Sequence, residues 1–236
     1  MRGDIQNRIE GLDWDEIASG LNEHGYSLTG SLLMAEECEE LVSMYPKDDR
    51  FRSRIVMARY RFGSGEYKYF AYPLPKVVEE LRAAFYPKLA TVANEWNEKL
   101  GAGEPFPLEH EEFAKQCHKA GQKRPTPLLL RYEAGDYNCL HQDLYGQMAF
   151  PLQLTCFLSR KSDYAGGEFV LTEQQPRAQS KAQVLAPERG QVLIFTTRHR
   201  PIKGTRGYYR VSVRHGVSRL LSGMRYTLGV PFHDAE

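Results

Sequence analysis

His141 and Asp143 stand two residues apart in the stretch CLHQDL. On an extended strand such a pair points to one face, so an imidazole and a carboxylate would be offered side by side to a divalent metal. With a second imidazole they make the two-His, one-carboxylate set that holds non-haem Fe(II) on one face of an octahedron and leaves three positions open. The same donors can hold Zn(II) in a hydrolase. The pattern is short and the chain has seven histidines, so the pair decides nothing without a third ligand. His199, His215 and His233 are the downstream candidates. His199 sits in a basic run and His233 close to the C-terminus. His215 has the better surroundings, because Arg225 follows it by ten residues and Thr227 by twelve. A turn near Ser222-Gly223 would join two antiparallel strands facing one cavity. Arg225 would then offer a planar fork to a distant carboxylate. Thr227 would share its face by strand alternation and add a hydroxyl. A simple zinc hydrolase does not need that arginine. Gln153 and Thr155 share a face in PLQLTCFL and are further candidates for the cavity lining.

These side chains must be held by strands, and the chain after residue 124 supplies them. PLLLRYE, CLHQDL, LQLTCFLS, EFVLTE, AQVLAP, QVLIFTT, YYRVSVRHG and RYTLGVPF are short β-prone runs, most of them punctuated by Gly or Pro. Eight such runs suit a two-sheet jelly roll. The preceding part reads as helical. LDWDEIASGLNEHG has Asp13 as N-cap, an apolar stripe of Trp14, Ile17 and Leu21, and Gly25 as a stop. SLLMAEECEELVSMYP is a second amphipathic helix ended by Pro46, and a long helix runs from Pro75 to about Leu100, bent at Pro87. Between them a hairpin is expected around Gly63-Ser64-Gly65. Gly101 to Pro127 reads as a connection. The expectation is an α+β chain: a helical and hairpin extension over 1–124, packed as one structural unit on a double-stranded β-helix (jelly roll) core over 125–236.

The pattern H141-x-D143 … H215-x(9)-R225-x-T227 resembles the 2-oxoglutarate and Fe(II)-dependent oxygenases, including their prolyl-4-hydroxylase-like branch. GGEFVLTE at 166–173 looks like that branch's glycine-led strand. FRSRIVMARYRFGSGEYKYFAYPLP, GQKRPTPLLLRYEAGDYNCLHQDLYG and RHGVSR…LG…FHDA look like one bacterial family of such oxygenases across nearly the full chain, a family labelled with oxidative demethylation of damaged DNA. The resemblance implies a dioxygenase with Fe(II) on His141, Asp143 and His215, O2 as oxidant, and 2-oxoglutarate as co-substrate, converted to succinate and CO2 while a C–H bond is hydroxylated. It places Arg225, Thr227 and Tyr132 on 2-oxoglutarate. The nucleic-acid demethylase branch has a second Arg six residues after the first, where this chain has Pro231. The implied substrate is therefore a small molecule or a protein, with alkylated nucleic acid as the alternative. A jelly-roll binding module without turnover is the alternative of another class.

The net charge of +1 sets no global preference for anionic partners. No apolar run approaches the length of a membrane span, and MRGDIQNRIEGLDWDEI lacks the apolar core of a signal peptide, so a cytoplasmic protein away from membranes is expected. Cys38, Cys117, Cys139 and Cys156 are far apart and read as reduced thiols. One local feature stands out: RHRPIKGTRGYYRVSVR carries Arg198, Arg200, Lys203, Arg206, Arg210 and Arg214 with no acidic residue. It is either a patch for an anionic substrate, with Tyr208 and Tyr209 available for stacking, or a solvated face paired with acids elsewhere. Base rates favour the second.

Overall fold

The computed structural model describes residues 4–143 and 146–236. Leu144, which closes the CLHQDL run, and Tyr145 lie outside them.

Capping and apolar spacing start the N-terminal layer. After α1 (Ile5–Glu10), the helix α2 (Trp14–His24) begins where the Asp13 carboxylate accepts from the Glu16 amide at 2.9 Å. It stops at Gly25, whose φ of 78° is the left-handed conformation that glycine adopts freely. The stripe of Ile17 and Leu21 is buried. The second expected helix, α3, spans Ala35–Met44; of the residues before it, Ser31 ends strand β1 (Tyr26–Ser31) and Leu32, Leu33 and Met34 connect the two. The long helix α4 spans Lys76–Leu100 and runs through Pro87. It buries Phe85, Tyr86, Leu89 and Trp96, each worth about 1.5–3 kcal/mol on leaving water. The expected connection over 101–127 contains a helix of its own, α5 (His110–Lys119). Only Phe113 and Cys117 of it are buried, and two apolar positions one turn apart are too thin a stripe to read in a charged segment.

The remaining strands are β2 (Phe51–Val56), β3 (Gly63–Ser64), β4 (Glu66–Phe70), β5 (Leu128–Glu133), β6 (Tyr137–His141), β7 (Leu152–Phe157), β8 (Tyr164–Gly166), β9 (Phe169–Gln174), β10 (Lys181–Leu185), β11 (Gln191–Thr196), β12 (His199–Gly204), β13 (Gly207–Val217) and β14 (Leu220–Val230). They form two antiparallel sheets. One has the order β1-β11-β7-β14-β5-β4-β2, with β8 on β14. The other has the order β10-β9-β13-β6-β3, with β12 on β13. Phe157, Leu193 and Phe195 of the first pack on Phe169, Leu171 and Val213 of the second. The outer face of the first sheet carries the helices, with Leu129, Cys156, Ile194 and Leu228 in the same core as α2 to α5.

Each of the eight runs contributes a strand, but the sheets also recruit β1, β2, β3 and β4 from before residue 124. The hairpin over 51–70 forms between β2 and β4, and Gly63-Ser64 is not its apex. Those residues leave to pair with Asn138 and Tyr137 of β6 in the other sheet. The turn expected at Ser222-Gly223 lies instead at Ser218-Arg219, and the strands it joins belong to different sheets. Gly223 sits inside β14 at φ 78°, where a Cβ would overlap the Asp163 carbonyl, so β8 can lie against it. Tertiary pairing, not local turn chemistry, fixes that glycine.

Candidate metal centre

The second sheet and the loop after β6 bring His141, Asp143 and His215 together. His215 of β13 lies directly across from His141 of β6, and Asp143 follows in the loop. Their ligand atoms all lie within 4.8 Å of one another. His141 Nε2 is 3.4 Å from Asp143 Oδ1 and His215 Nε2 is 3.2 Å from Asp143 Oδ2. The His141 Nδ1 is 2.8 Å from the Cys139 carbonyl. A carbonyl only accepts, so Nδ1 carries a proton, and Nε2, which faces Asp143, is the nitrogen left to bind a metal once it gives up its own proton. The His215 ring is held by Phe169, stacked at 5.8 Å, and by Phe195, edge-on at 4.8 Å.

The electrostatics of the cluster are coupled. Burial works against charge on Asp143, yet His215 and His141 outweigh it and hold the carboxyl well below its ordinary value. Burial lowers His215. It also opposes charge on His141, but the hydrogen bond to Asp143 prevails and that histidine is raised. Lone pairs of three donors converge on one point, and a divalent cation satisfies all three at once.

The middle residue of H-x-D is a clamp. Gln142 Nε2 reaches the carbonyls of Arg198 and Val213 and the Ser212 hydroxyl at 2.9–3.1 Å, tying the ligand loop to β13 and to the turn before β12. Gln153 of β7 donates to Asp143 Oδ2 at 2.6 Å and so orients the carboxylate. Gln122, fully buried, binds both backbone groups of Met148. Sequence reasoning missed Gln142 and Gln122; a glutamine has no motif, and only its partners reveal its task. Gln153 and Thr155, read as cavity candidates, do line it.

Tyr132, Arg225 and Thr227 line the same cavity, of ≈ 360 Å³. Tyr132 and Arg225 are direct cross-strand partners on β5 and β14. Arg225 is 2 % exposed and sits over the Tyr132, Phe157 and Tyr164 rings. Its Nε and Nη1, and the Tyr132 hydroxyl, have no hydrogen-bond partner among the described residues. Burial lowers the Arg225 pKa from its ordinary value and pushes that of Tyr132 up to about 12. A buried guanidinium with two unpartnered nitrogens is costly, and an anion entering the cavity would relieve it. Gly167, at φ 67°, leaves room beside the Arg225 stem, where a Cβ would come 3.3 Å from its Cδ.

The other two histidine candidates lie outside the cluster. His199 is on β12, and burial followed by Arg198 and Arg210 lowers it. His233 is 1 % exposed and accepts from the Phe150 amide at 3.2 Å. Cys139 is exposed and lines the cavity; Cys38, Cys117 and Cys156 are buried, and all four are free thiols. The basic run divides in two. Arg200 is buried in an ion pair with Glu173. Arg198, Lys203, Arg206, Arg210 and Arg214 are exposed and have no ion pair among the described residues, so the expectation of a paired face fails for these five. Arg214, next to His215, points to the opposite face of β13 and stays outside the cavity.

Residues 65–235 match the family described as "Oxygenase, catalysing oxidative methylation of damaged DNA". The chain belongs to this oxygenase family. It is an oxygenase, the enzyme class that the sequence pattern also had. Two uncharacterised proteins of Mycobacterium tuberculosis are each 48% identical over 167 residues, covering 70% of this chain and 72% of theirs. In fold, the oxygenase is similar to a Pseudomonas putida prolyl-4-hydroxylase, at TM-score 0.57 and 14% identity over 94% of this chain and 100% of that one. It is also similar to a Trichoplax adhaerens prolyl hydroxylase in complex with a hypoxia inducible factor peptide fragment, at TM-score 0.58 and 16% identity over 98% and 92%. Among the described residues no helix is long and apolar enough to cross a membrane.

Proposed function

We propose that this oxygenase holds Fe(II) on His141, Asp143 and His215 and 2-oxoglutarate on Arg225, Thr227 and Tyr132, and hydroxylates a C–H bond of its substrate with release of succinate and CO2. The two sheets would then form a double-stranded β-helix, and 1–124 and 125–236 one structural unit, a reading that the shared sheets support. The observation that carries the proposal is the buried Arg225, with two guanidinium nitrogens unpaired among the described residues, in one cavity with the three-donor cluster. Arg225 would receive the distal carboxylate of 2-oxoglutarate through its fork, with the Tyr132 hydroxyl donating beside it. Phe169 and Phe195 hold the His215 ring, and the apolar lining keeps water from the reacting C–H bond. The bound iron and 2-oxoglutarate supply the oxidising power. Hydroxylation next to a nitrogen would lead on to dealkylation.

The test is succinate formation from 2-oxoglutarate by the Fe(II)-loaded chain, which proceeds slowly in such sites even without substrate. Asp143→Ala, His141→Ala and His215→Ala should each abolish it and lose Fe(II); His199→Ala should keep both. Retention of Fe(II) by His215→Ala with loss in His199→Ala would reject the ligand set. A binding module without turnover predicts no succinate from the wild type. A second reading, oxidative demethylation of alkylated nucleic acid, is favoured by the five exposed cations between Arg198 and Arg214. Charge reversal at Lys203, Arg206 and Arg210 should then weaken single-strand binding and flatten its salt dependence.

A further inference from the structure

The segment from Met57 to Gly65 connects β2 to β4 and passes along the mouth of the cavity. It is anchored at both ends. Met57 is fully buried with Tyr132, Tyr164, Val217 and Leu220. At the other end Gly63 and Ser64 pair with β6, the Cys139 amide donates to the Phe62 carbonyl at 2.8 Å, and the Ser64 hydroxyl donates to Asp136 at 2.6 Å. Gly63 is required there, since at φ 136° a Cβ would overlap the Tyr137 carbonyl.

Between these anchors, large side chains are left in water. Tyr60 is 55% exposed and Phe62 47%, and their rings stack on each other at 5.5 Å and 21°. Arg61 and Phe62 line the cavity. Arg61 takes φ 60° and ψ 26°, a left-handed conformation that a residue with a Cβ disfavours. Strain of this kind persists only where the surroundings enforce it, and it collects at ligand-handling positions. Arg61 and its neighbour Arg59 are exposed, with no ion pair among the described residues.

Strand β6 relates this rim to the rest of the site. Gly63 pairs with Asn138 at its start; just past its end, Gln142 binds Arg198 and Ser212. His141 lies between. An aromatic rim and a cationic shoulder therefore flank the metal centre, about 14 Å apart along the strand.

Building on the oxygenase reading above, we propose that Tyr60, Arg61 and Phe62 are the shelf that grips the substrate, and that they take a base of a single-stranded nucleic acid, stacked on the ring pair with its phosphate against Arg61. Aromatic faces stack on any base while cations track the backbone. Rings on one side of the centre and cations on both fit a linear polyanion with planar side groups. An acidic peptide bearing an aromatic residue is the rival.

The experiment is fluorescence anisotropy of a labelled eight-nucleotide thymidylate strand with the full chain, without 2-oxoglutarate so that no turnover occurs. Wild type should bind. Tyr60→Ala and Phe62→Ala should each weaken binding about tenfold, and Phe62→Tyr should recover most of it. Arg61→Gly is diagnostic. It should weaken binding and its salt dependence while raising the melting temperature, because glycine relieves the backbone. A higher melting temperature with unchanged binding would mean that Arg61 is only structural, and would overturn the proposal. So would a wild type that does not bind the strand. A labelled acidic tyrosine-containing peptide that binds wild type more tightly, and is lost in the same variants, would overturn the nucleic-acid assignment and give the shelf to a protein. Failure of the oxygenase reading shows separately, as absence of succinate release by wild type, on which anisotropy does not depend.

Discussion

Arg225 gains its meaning from what surrounds it. A guanidinium 2 % exposed, with rings on several sides, has given up water for few direct partners. Arg225→Leu should therefore weaken 2-oxoglutarate at least about tenfold, since a charge-assisted hydrogen bond contributes roughly 1.5–3 kcal/mol, while Fe(II) binding persists. Arg225→Lys should recover only part, because an ammonium has no planar fork. Isothermal titration of 2-oxoglutarate into the Fe(II)-loaded chain measures both, and equal affinities would reject the anchor. Gln153 acts one step further out. It is not one of the three candidate ligands but donates to Asp143 Oδ2. Gln153→Leu keeps the volume and removes that donor, and should cost about tenfold to a hundredfold in metal affinity. Co(II) titration followed by its visible bands reads this directly, with a shifted band marking a reoriented carboxylate.

At the scale of elements, β14 does three tasks. It pairs with β5 and β7 to carry Arg225 and Thr227 into the cavity, and near its start it accepts β8. Gly223 allows the last of these. Gly223→Ala must hold a left-handed backbone, at roughly 1–2 kcal/mol, and push Asp163 away as well. The expected result is a loss of about 2 kcal/mol or more, seen as a drop of roughly 5 °C in melting temperature. Weaker 2-oxoglutarate binding should accompany it, because Arg225 is two residues on. An unchanged melting temperature would show that β8 is not held by this contact.

Over the whole molecule, the C-terminus closes the structure. Asp234 is buried between Arg82 at 3.0 Å and His118 at 2.9 Å, and the Phe232 carbonyl lies 2.9 Å from His110. Burial, followed by Arg82, lowers both His110 and His233 to about 4 from 6.5. Between those pH values the unfolded chain binds more protons than the native one, so stability rises with pH there. The contribution is complete above pH 6.5 and is lost as pH falls through about 4, at most roughly 3 kcal/mol per histidine. Urea unfolding at pH 7, 6 and 5 should show falling stability, and His110→Gln should flatten part of the slope. A wild-type curve independent of pH over this range would contradict the buried neutral histidines.

The shared face of Arg225 and Thr227 was legible in the chain itself, because strand alternation assigns a face to each residue before any fold is known, whereas Asp143 lies past the end of β6 and the fold, not alternation, brings it to His141. The caps of α2 and the β-prone runs after residue 124 were legible for the same reason: they are local signals. What only the tertiary structure decided depends on partners far apart in sequence. The β13–β14 turn lies at Ser218-Arg219 because β8 claims Gly223. Gly63-Ser64 belongs to the second sheet because β6 is there to pair with it. Arg200 is buried against Glu173 while its basic neighbours stay in solvent, a division that no charge count contains. The tasks of Gln142 and Gln153 rest on hydrogen bonds whose partners lie up to 71 residues away; a side chain's type is written in the sequence, and its partner is chosen by the fold.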